Sequence, residues 1–206
     1  MKRIDIQEIN EWSRFYRGNF VNCLSGYKPV SLIATANSER IPNVAIFSNI
    51  VHIGADPAMI GFINRPREAA PHTISNIEST GSYTINHIHP AIVQRAHQTS
   101  AKYDLGVDEF TAVGLTAEYK EGVYAPFVVE SMVKYAMELL EVISIKHNNT
   151  FFVIGKLKEA WIEESILLED GYLDLEKVNS MVSLGIDGYY ETKQHLRLPY
   201  AKVVNK

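Results

Sequence analysis

The stretch from Arg40 to Ile77, "RIPNVAIFSNIVHIGADPAMIGFINRPREAAPHTISNI", is mostly apolar. Between its apolar runs it carries Asn43, Ser48, Asn49, Asn64, Arg65, Arg67, His72 and Thr73. A core needs none of these groups, whereas a bound anion uses nearly all of them. Ser48 and Asn49 fall where a strand ends and backbone N–H groups point outward, so they can add side-chain donors there. Arg65 and Arg67 share one loop and can fork onto a single phosphate. Pro66 between them stiffens the loop and lowers the ordering cost of binding. Thr73 falls at an expected helix start, where free N–H groups and the helix dipole favour negative charge. Taken singly, Thr73 reads as an N-cap and each arginine as a solvated loop charge. Found together in three successive elements, they favour an anion site.

Other polar groups carry a second set of readings. His87 and His89 in "HIH" share one face of a strand, a spacing that suits metal ligation. No acidic or cysteine ligand lies at useful spacing, so two polar residues at a strand end is the preferred reading and no metal is expected. In "AHQTSAKYD", His97, Ser100 and Lys102 could line the mouth of a pocket and meet an anionic or carbonyl substrate; a polar helix end is the equal alternative. Cys23 is the single cysteine. It excludes an internal disulfide, suits a reducing cytosol and is expected to be a buried structural thiol.

These side chains need a scaffold. Ile6, Ile9, Trp12, Phe15, Tyr16 and Phe20 fall near helical spacing, which predicts a helix over 5–23 stopped by Gly26 and Pro29. Strands are expected at "PVSLIATAN" (29–37), "VAIFSNIVHIG" (44–54), "AMIGFIN" (58–64) and "GSYTINHIH" (81–89). Later strands are expected at "LTAEY", "KYAMELLEVISIKH" and "TFFVIGKLKEAWI". "HTISNIEST" reads as a short helix closed by Gly81, "PAIVQRAHQTS" as a second, and 101–114 as loop with a short turn. "YLDLEKVNSMV" reads as a last helix. Strands separated by short turns make closure into a barrel the economical way to remove exposed edges.

The 206 residues suit one domain, with 46% hydrophobic and 21% charged residues giving material for an ordinary core. A formal charge of −4 with no basic run argues against nucleic acid. No apolar segment approaches a membrane span, and the start, with Asp5 and Glu8 and no apolar stretch, predicts no signal peptide. A cytoplasmic protein is the expectation.

The order "KPVSLIATAN…PNVAIFSNIVHIGADPAMIGFINRP…HTISNI…GSYTINHI" resembles the flavin reductase-like, FMN-binding split-barrel family. Its pattern is a Pro-Val strand, N-x-A-x-x-S, a D-P turn, an arginine loop, a Thr-x-x-N-I helix and a strand ending in Asn. "DEFTAVGL", the glycine of "FFVIGKL" and "YLDLEKV…GYY" extend the resemblance over nearly the whole chain. "SGYKPVSLIATAN" and "AHQTSAKYD" are similar to a flavoredoxin-like subgroup. The resemblance implies a mainly β, six-stranded antiparallel Greek-key split barrel with flanking helices. A single domain is expected, with a helical segment at 1–26, the barrel at 27–165 and a C-terminal extension at 166–206. It also implies a homodimer with flavin at the interface. The implied cradle is Asn43, Ala45, Ile46, Phe47, Ser48, Asn49, Asn64, Arg65, Arg67, His72 and Thr73, with backbone amides of the 43–49 strand near the flavin ring. FMN is favoured over FAD, because no second nucleotide motif accompanies the phosphate cradle.

Two positions depart from the family pattern. Asn149 stands where many members have a histidine that receives nicotinamide, with His147 nearby and, by period two, on the same strand face. Ser183 stands where an arginine is usual. Both changes count against NAD(P)H as the direct electron donor. His97, Lys102 and Asn149 are the candidate catalytic residues. The functional expectation is an FMN-dependent oxidoreductase. The alternatives are a flavoredoxin-type electron carrier with another donor, and a split barrel that serves as an interaction module. "FVVESMVKY" and "DGYYETK" are the stretches expected to form the dimer interface.

Overall fold

The computed structural model describes residues 1–104 and 106–203. The expectations at Leu105 in the 101–114 loop and at 204–206 of the C-terminal extension lie outside the described residues. Two helices open the chain, α1 (Ile6–Glu11) and α2 (Arg14–Leu24). They replace the single helix expected over 5–23, because Trp12 takes an extended backbone conformation and Ser13 begins α2 afresh. Neither helix buries a residue. Cys23, on α2, is therefore exposed rather than a core thiol.

The short β1 (Lys28–Pro29) leads into β2 (Ser31–Ala36), β3 (Pro42–Phe47), β4 (Val51–Ala55) and β5 (Ala58–Asn64). Helix α3 (Pro71–Thr80) and β6 (Ser82–His87) follow, then α4 (Val93–Gln98) and α5 (Glu109–Val113). After the two-residue strands β7 (Ala117–Glu118) and β8 (Phe127–Val128) come the long hairpin β9 (Val133–Ile145) and β10 (Thr150–Ile162). A final hairpin, β11 (Met181–Leu184) and β12 (Gly188–Glu191), completes the chain.

The main sheet has seven antiparallel strands in the order β3-β2-β6-β9-β10-β5-β4, one more than expected. Its two edges, β3 and β4, are successive in the chain and joined only by Ser48, Asn49 and Ile50. A link that short holds the edges together, so the sheet must curl back on itself, as a split barrel does. The expected single strand over 44–54 is thus two strands, and its apolar run hid the corner between them.

Every residue of β2 is buried. Leu32 and Ala34 face a core shared with Ile92 and Ala96 near α4 and Phe110 of α5, while Ile33 faces the barrel core of Phe62, Ile74, Ile77 and Tyr83. Covering on both faces explains a continuous apolar run without alternation. Within the barrel, Phe47, Phe62 and Tyr83 stack edge to face at 4.9 and 5.7 Å. A Cβ at Gly155 would collide with the Tyr83 hydroxyl, so β10 needs glycine where the buried ring crosses it.

The expected last helix over 172–182 is a short 3₁₀ turn, Leu175–Val178, followed by β11. Asn179, at φ 49°, ends the turn, and β11 pairs with β1 through Lys28↔Ser183. This small sheet carries Ser183 and the β11–β12 hairpin to the mouth of the groove described next. "FVVESMVKY" is largely core, with Phe127, Val128 and Val133 buried and Val129 exposed. Exposed apolar side chains lie on the N-terminal helices (Ile6, Phe15, Tyr16, Leu24), on β4 (Val51), on β9 (Leu140, Ile143) and, within "DGYYETK", at Tyr190.

Candidate functional site

The β3–β4 corner, the β5–α3 loop, the start of α3, the stretch after α4 and the β11–β12 hairpin surround a groove of about 500 Å³. Of the residues expected to hold an anion, Asn43, Ala45, Ile46, Phe47, Ser48, Asn49, Arg65, His72 and Thr73 line it, and His97 and Lys102 line it too. The three successive elements singled out in the sequence do converge.

Arg65 is exposed. It lines the groove and has no side-chain partner among the described residues. Helix α3 starts with Ala70 as N-cap and Pro71 at its first position, and no side chain caps it. Thr73 is therefore inside the first turn rather than the cap, and the uncapped helix start opens onto the groove. A ten-residue helix with free N–H groups at such a place favours an anion.

Three expected residues are placed elsewhere. Arg67 turns away and pairs with Glu78 of α3, with its guanidinium 4.8 Å from the centroid of the Phe151 ring. Arg65 lines the groove and Arg67 does not, so the two-arginine fork is not formed. Asn64 is buried and donates to the carbonyls of Arg65 and Ala70 at 2.8 and 3.2 Å. It shapes the arginine loop from beneath. Asn149 lies in the exposed four-residue turn between β9 and β10 at φ 57°. His147 is in the same turn, so period-two reasoning does not apply to the pair. Asn49 has a role beyond the groove: its amide donates to the Ile63 carbonyl at 2.9 Å and accepts from the Ile63 N–H at 3.1 Å.

The structure adds Glu109 and Arg14, which the sequence did not mark, and gives Ser183 and His97 their surroundings. Glu109, 5% exposed, lies at the groove wall. In the amide orientation that satisfies both neighbours, Asn43 donates to Glu109 Oε1 at 2.9 Å and accepts from the Val44 N–H at 3.1 Å. His72 Nδ1 lies 3.5 Å from the same oxygen. Burial pushes the Glu109 carboxyl up to about 7, because the charged form loses its hydration. In the sequence it is one acid in "DEFT", indistinguishable from a solvated first-turn residue. Ser183 is buried at the groove, and its hydroxyl has no partner among the described residues. His97 Nδ1 is 2.7 Å from the Tyr189 hydroxyl and braces the rim. Arg14 reaches the groove from α2.

His87 and His89 do not converge. His87 Nδ1 meets the Ser180 hydroxyl at 2.8 Å, and His89 Nε2 meets the Glu130 carbonyl at 3.0 Å. Among the described residues no three histidine, cysteine or acidic side chains form a metal-binding group. No helix among them is long and apolar enough to cross a membrane.

Residues 26–176 match the family model for the flavin reductase like domain. Among solved structures, the chain is similar to a protein of Shewanella frigidimarina NCIMB 400 assigned as a flavin reductase with a split barrel domain. The two are 40% identical, with 98% of this chain and 100% of that chain covered and a TM-score of 0.94. It is also similar to the flavoredoxin of Desulfovibrio vulgaris (Miyazaki F), at 24% identity, 85% and 92% coverage and a TM-score of 0.75. A third likeness is to an FMN-binding protein from Thermus thermophilus with 1-cyclohex-2-enone bound, at 18% identity, 84% and 90% coverage and a TM-score of 0.69. The last two likenesses carry the fold alone.

Proposed function

This chain belongs to the flavin reductase like family, and from that premise we propose that its groove binds FMN non-covalently and that the protein works as an FMN-dependent oxidoreductase. The observation that carries this reading is the convergence of Ser48, Arg65 and the uncapped start of α3 with Thr73 on one groove. Those are donors for a phosphate. The buried Ser183 hydroxyl, without a partner among the described residues, fits the same view, since a buried hydroxyl costs free energy until something bonds to it. The backbone from Asn43 to Asn49 forms a wall for the ring, and Lys102 adds a cation at the mouth. Bound there, the flavin supplies hydride or electron transfer, while the protein supplies position, charge and access. His97, held by Tyr189, and Lys102 orient an anionic or carbonyl substrate at the rim. FMN is preferred to FAD because the groove offers one phosphate cradle.

A flavoredoxin-type carrier is the second reading. It is favoured by Asn149, which stands at an exposed turn without the charge that would help receive a nicotinamide. We propose further that a second copy of the chain completes the site. The N-terminal helices bury none of their residues and leave Phe15, Tyr16 and Leu24 exposed. Large apolar side chains left exposed in this number on two successive helices suit an interface. The test of cofactor identity is the absorption spectrum of purified protein, followed by heat release and identification of the flavin. A colourless protein that also fails to take up added FMN overturns the reading. For assembly, light scattering at micromolar concentration should give twice the chain mass, and a flavin-loaded monomer contradicts the dimer.

A further inference from the structure

Glu109 has no part in the flavin reading, yet it is the least solvated acid at the groove. It lies on α5 with the Asn43 amide at 2.9 Å on one side and His72 Nδ1 at 3.5 Å on the other. Both line the groove, and the His72 side chain is 21% exposed against 7% for that of Glu109, so the imidazole is the more open member of the pair. His72 also occupies the first turn of α3, beside the N–H groups that favour an anion. We propose that Glu109 and His72 form a proton-exchanging pair that couples binding of a phosphate-bearing ligand in this groove to uptake of a proton. The proposal deepens the FMN reading and rests on it.

The physical chemistry sets the sign. An incoming phosphate dianion disfavours a second negative charge in the same cleft, so it raises the proton affinity of the Glu109 carboxyl. Glu109 sits near the point where a small push changes its state, since burial already holds its carboxyl at about 7. A proton on Glu109 removes the repulsion, and a proton on His72 adds an attraction. By reciprocity, the ligand binds more tightly as the pair protonates. The other charged or titratable groups around the groove are Arg14, Arg65, Lys102 and His97, the acids Glu68, Asp104 and Asp187, and the Tyr103 and Tyr189 phenols. Among the described basic groups, His72 alone lies within 4 Å of Glu109. The distant cations steer the anion; they do not neutralise this carboxyl.

The test is isothermal titration of FMN into flavin-free protein from pH 7.0 to 8.5, in two buffers of different ionisation enthalpy. The phosphate of the ligand titrates near pH 6, below this window, and its deprotonation gives release rather than uptake. Wild type should take up protons, and affinity should fall by up to about tenfold per pH unit. Glu109→Gln should keep FMN binding with smaller uptake and a flatter pH profile, and His72→Gln should show smaller uptake and a flatter profile on top of whatever affinity its place in the groove contributes. Should Glu109→Gln fail to fold, carbon-13 NMR of the glutamate carboxyls in wild type replaces it. One buried carboxyl should then titrate near neutrality and move upward on adding inorganic phosphate. FMN binding without proton uptake, or uptake undiminished in both variants, overturns the coupling and leaves the FMN reading standing. Absence of FMN binding at every pH removes both.

Discussion

Asn49 closes the barrel against Ile63 with its side chain. Its amide donates to the Ile63 carbonyl at 2.9 Å and accepts from the Ile63 N–H at 3.1 Å. A primary amide carries the same donor and acceptor as a peptide, so one side chain serves as a rung between the β3–β4 corner and β5. The corner could not make that rung with backbone, because the chain turns there from one sheet edge to the other. Replacing Asn49 with Ala should cost about 1–2 kcal/mol, two modest hydrogen bonds at an exposed site. In urea the midpoint should fall with the slope unchanged. An unchanged midpoint refutes the closing role. Aspartate, which keeps the acceptor and loses the donor, should fall between.

The two arginines of the β5–α3 loop separate into different roles. Arg65 lines the groove, and Arg67 pairs with Glu78 and covers Phe151. Arg65→Ala should weaken FMN binding by about 1.5–3 kcal/mol, the range for a charge-assisted bond to phosphate. Arg67→Ala should leave FMN affinity within about 0.5 kcal/mol and lower stability by up to about 1 kcal/mol, through loss of a surface ion pair and a ring contact. Equal loss of affinity in both variants restores the fork expected from their spacing.

Much of this was legible in the chain, and the failures have identifiable causes. Helix α3 and β5 were readable because each ends on a local signal, Gly81 in the left-handed region at φ 67° and the "NRP" break. Ser48, Arg65 and Thr73 were readable as a group because polar side chains at the ends of apolar runs have few structural uses. The β3–β4 corner was hidden because Ile50 and Val51 continue the apolar run across it. The C-terminal hairpin was hidden because Leu173, Leu175, Val178 and Val182 mimic helical spacing, and only pairing with β1 decides the outcome. Arg67 was misplaced because nothing local reveals that Glu78, one helix away, competes for it. Glu109 could not be found at all, since its burial is created by packing against β3.

Two buried groups should give the fold a pH profile with opposing slopes. Glu109 is raised by burial from 4.5 to about 7. Its contribution to stability is therefore full below pH 4.5 and lost as pH rises through 7, on the order of 2–3 kcal/mol. His87 is lowered by burial from 6.5 to about 4. Its contribution is full above pH 6.5 and lost as pH falls through 4. Between these limits the two slopes offset each other. Urea denaturation of the flavin-free protein at pH 4.5, 5.5, 6.5 and 7.5 should show Glu109→Gln gaining stability relative to wild type as pH rises. His87→Gln should gain on wild type as pH falls. A Glu109→Gln difference that is constant across the series would mean the carboxyl does not titrate in this window.

The electron donor is the remaining point at which the chain parts from its family pattern. Asn149 sits at the tip of the β9–β10 hairpin, two residues before Phe151, whose partner across the ladder is Asn64 at the head of the Arg65 loop. A side chain there is exposed. Asparagine bonds as donor and acceptor but carries no charge, whereas histidine can be positive near neutral pH. Asparagine and histidine both tolerate the left-handed backbone at this turn, so Asn149→His changes charge without straining the hairpin. Positioning of a nicotinamide against the ring governs much of the barrier to hydride transfer. NADH and NADPH should therefore reduce the bound flavin slowly in wild type, and Asn149→His should accelerate reduction by about tenfold, ~1.4 kcal/mol of barrier. Anaerobic stopped-flow bleaching of the flavin measures both. Fast reduction of the wild type, unchanged by the substitution, shows that the turn plays no part in receiving the donor and returns NAD(P)H to the position of direct reductant.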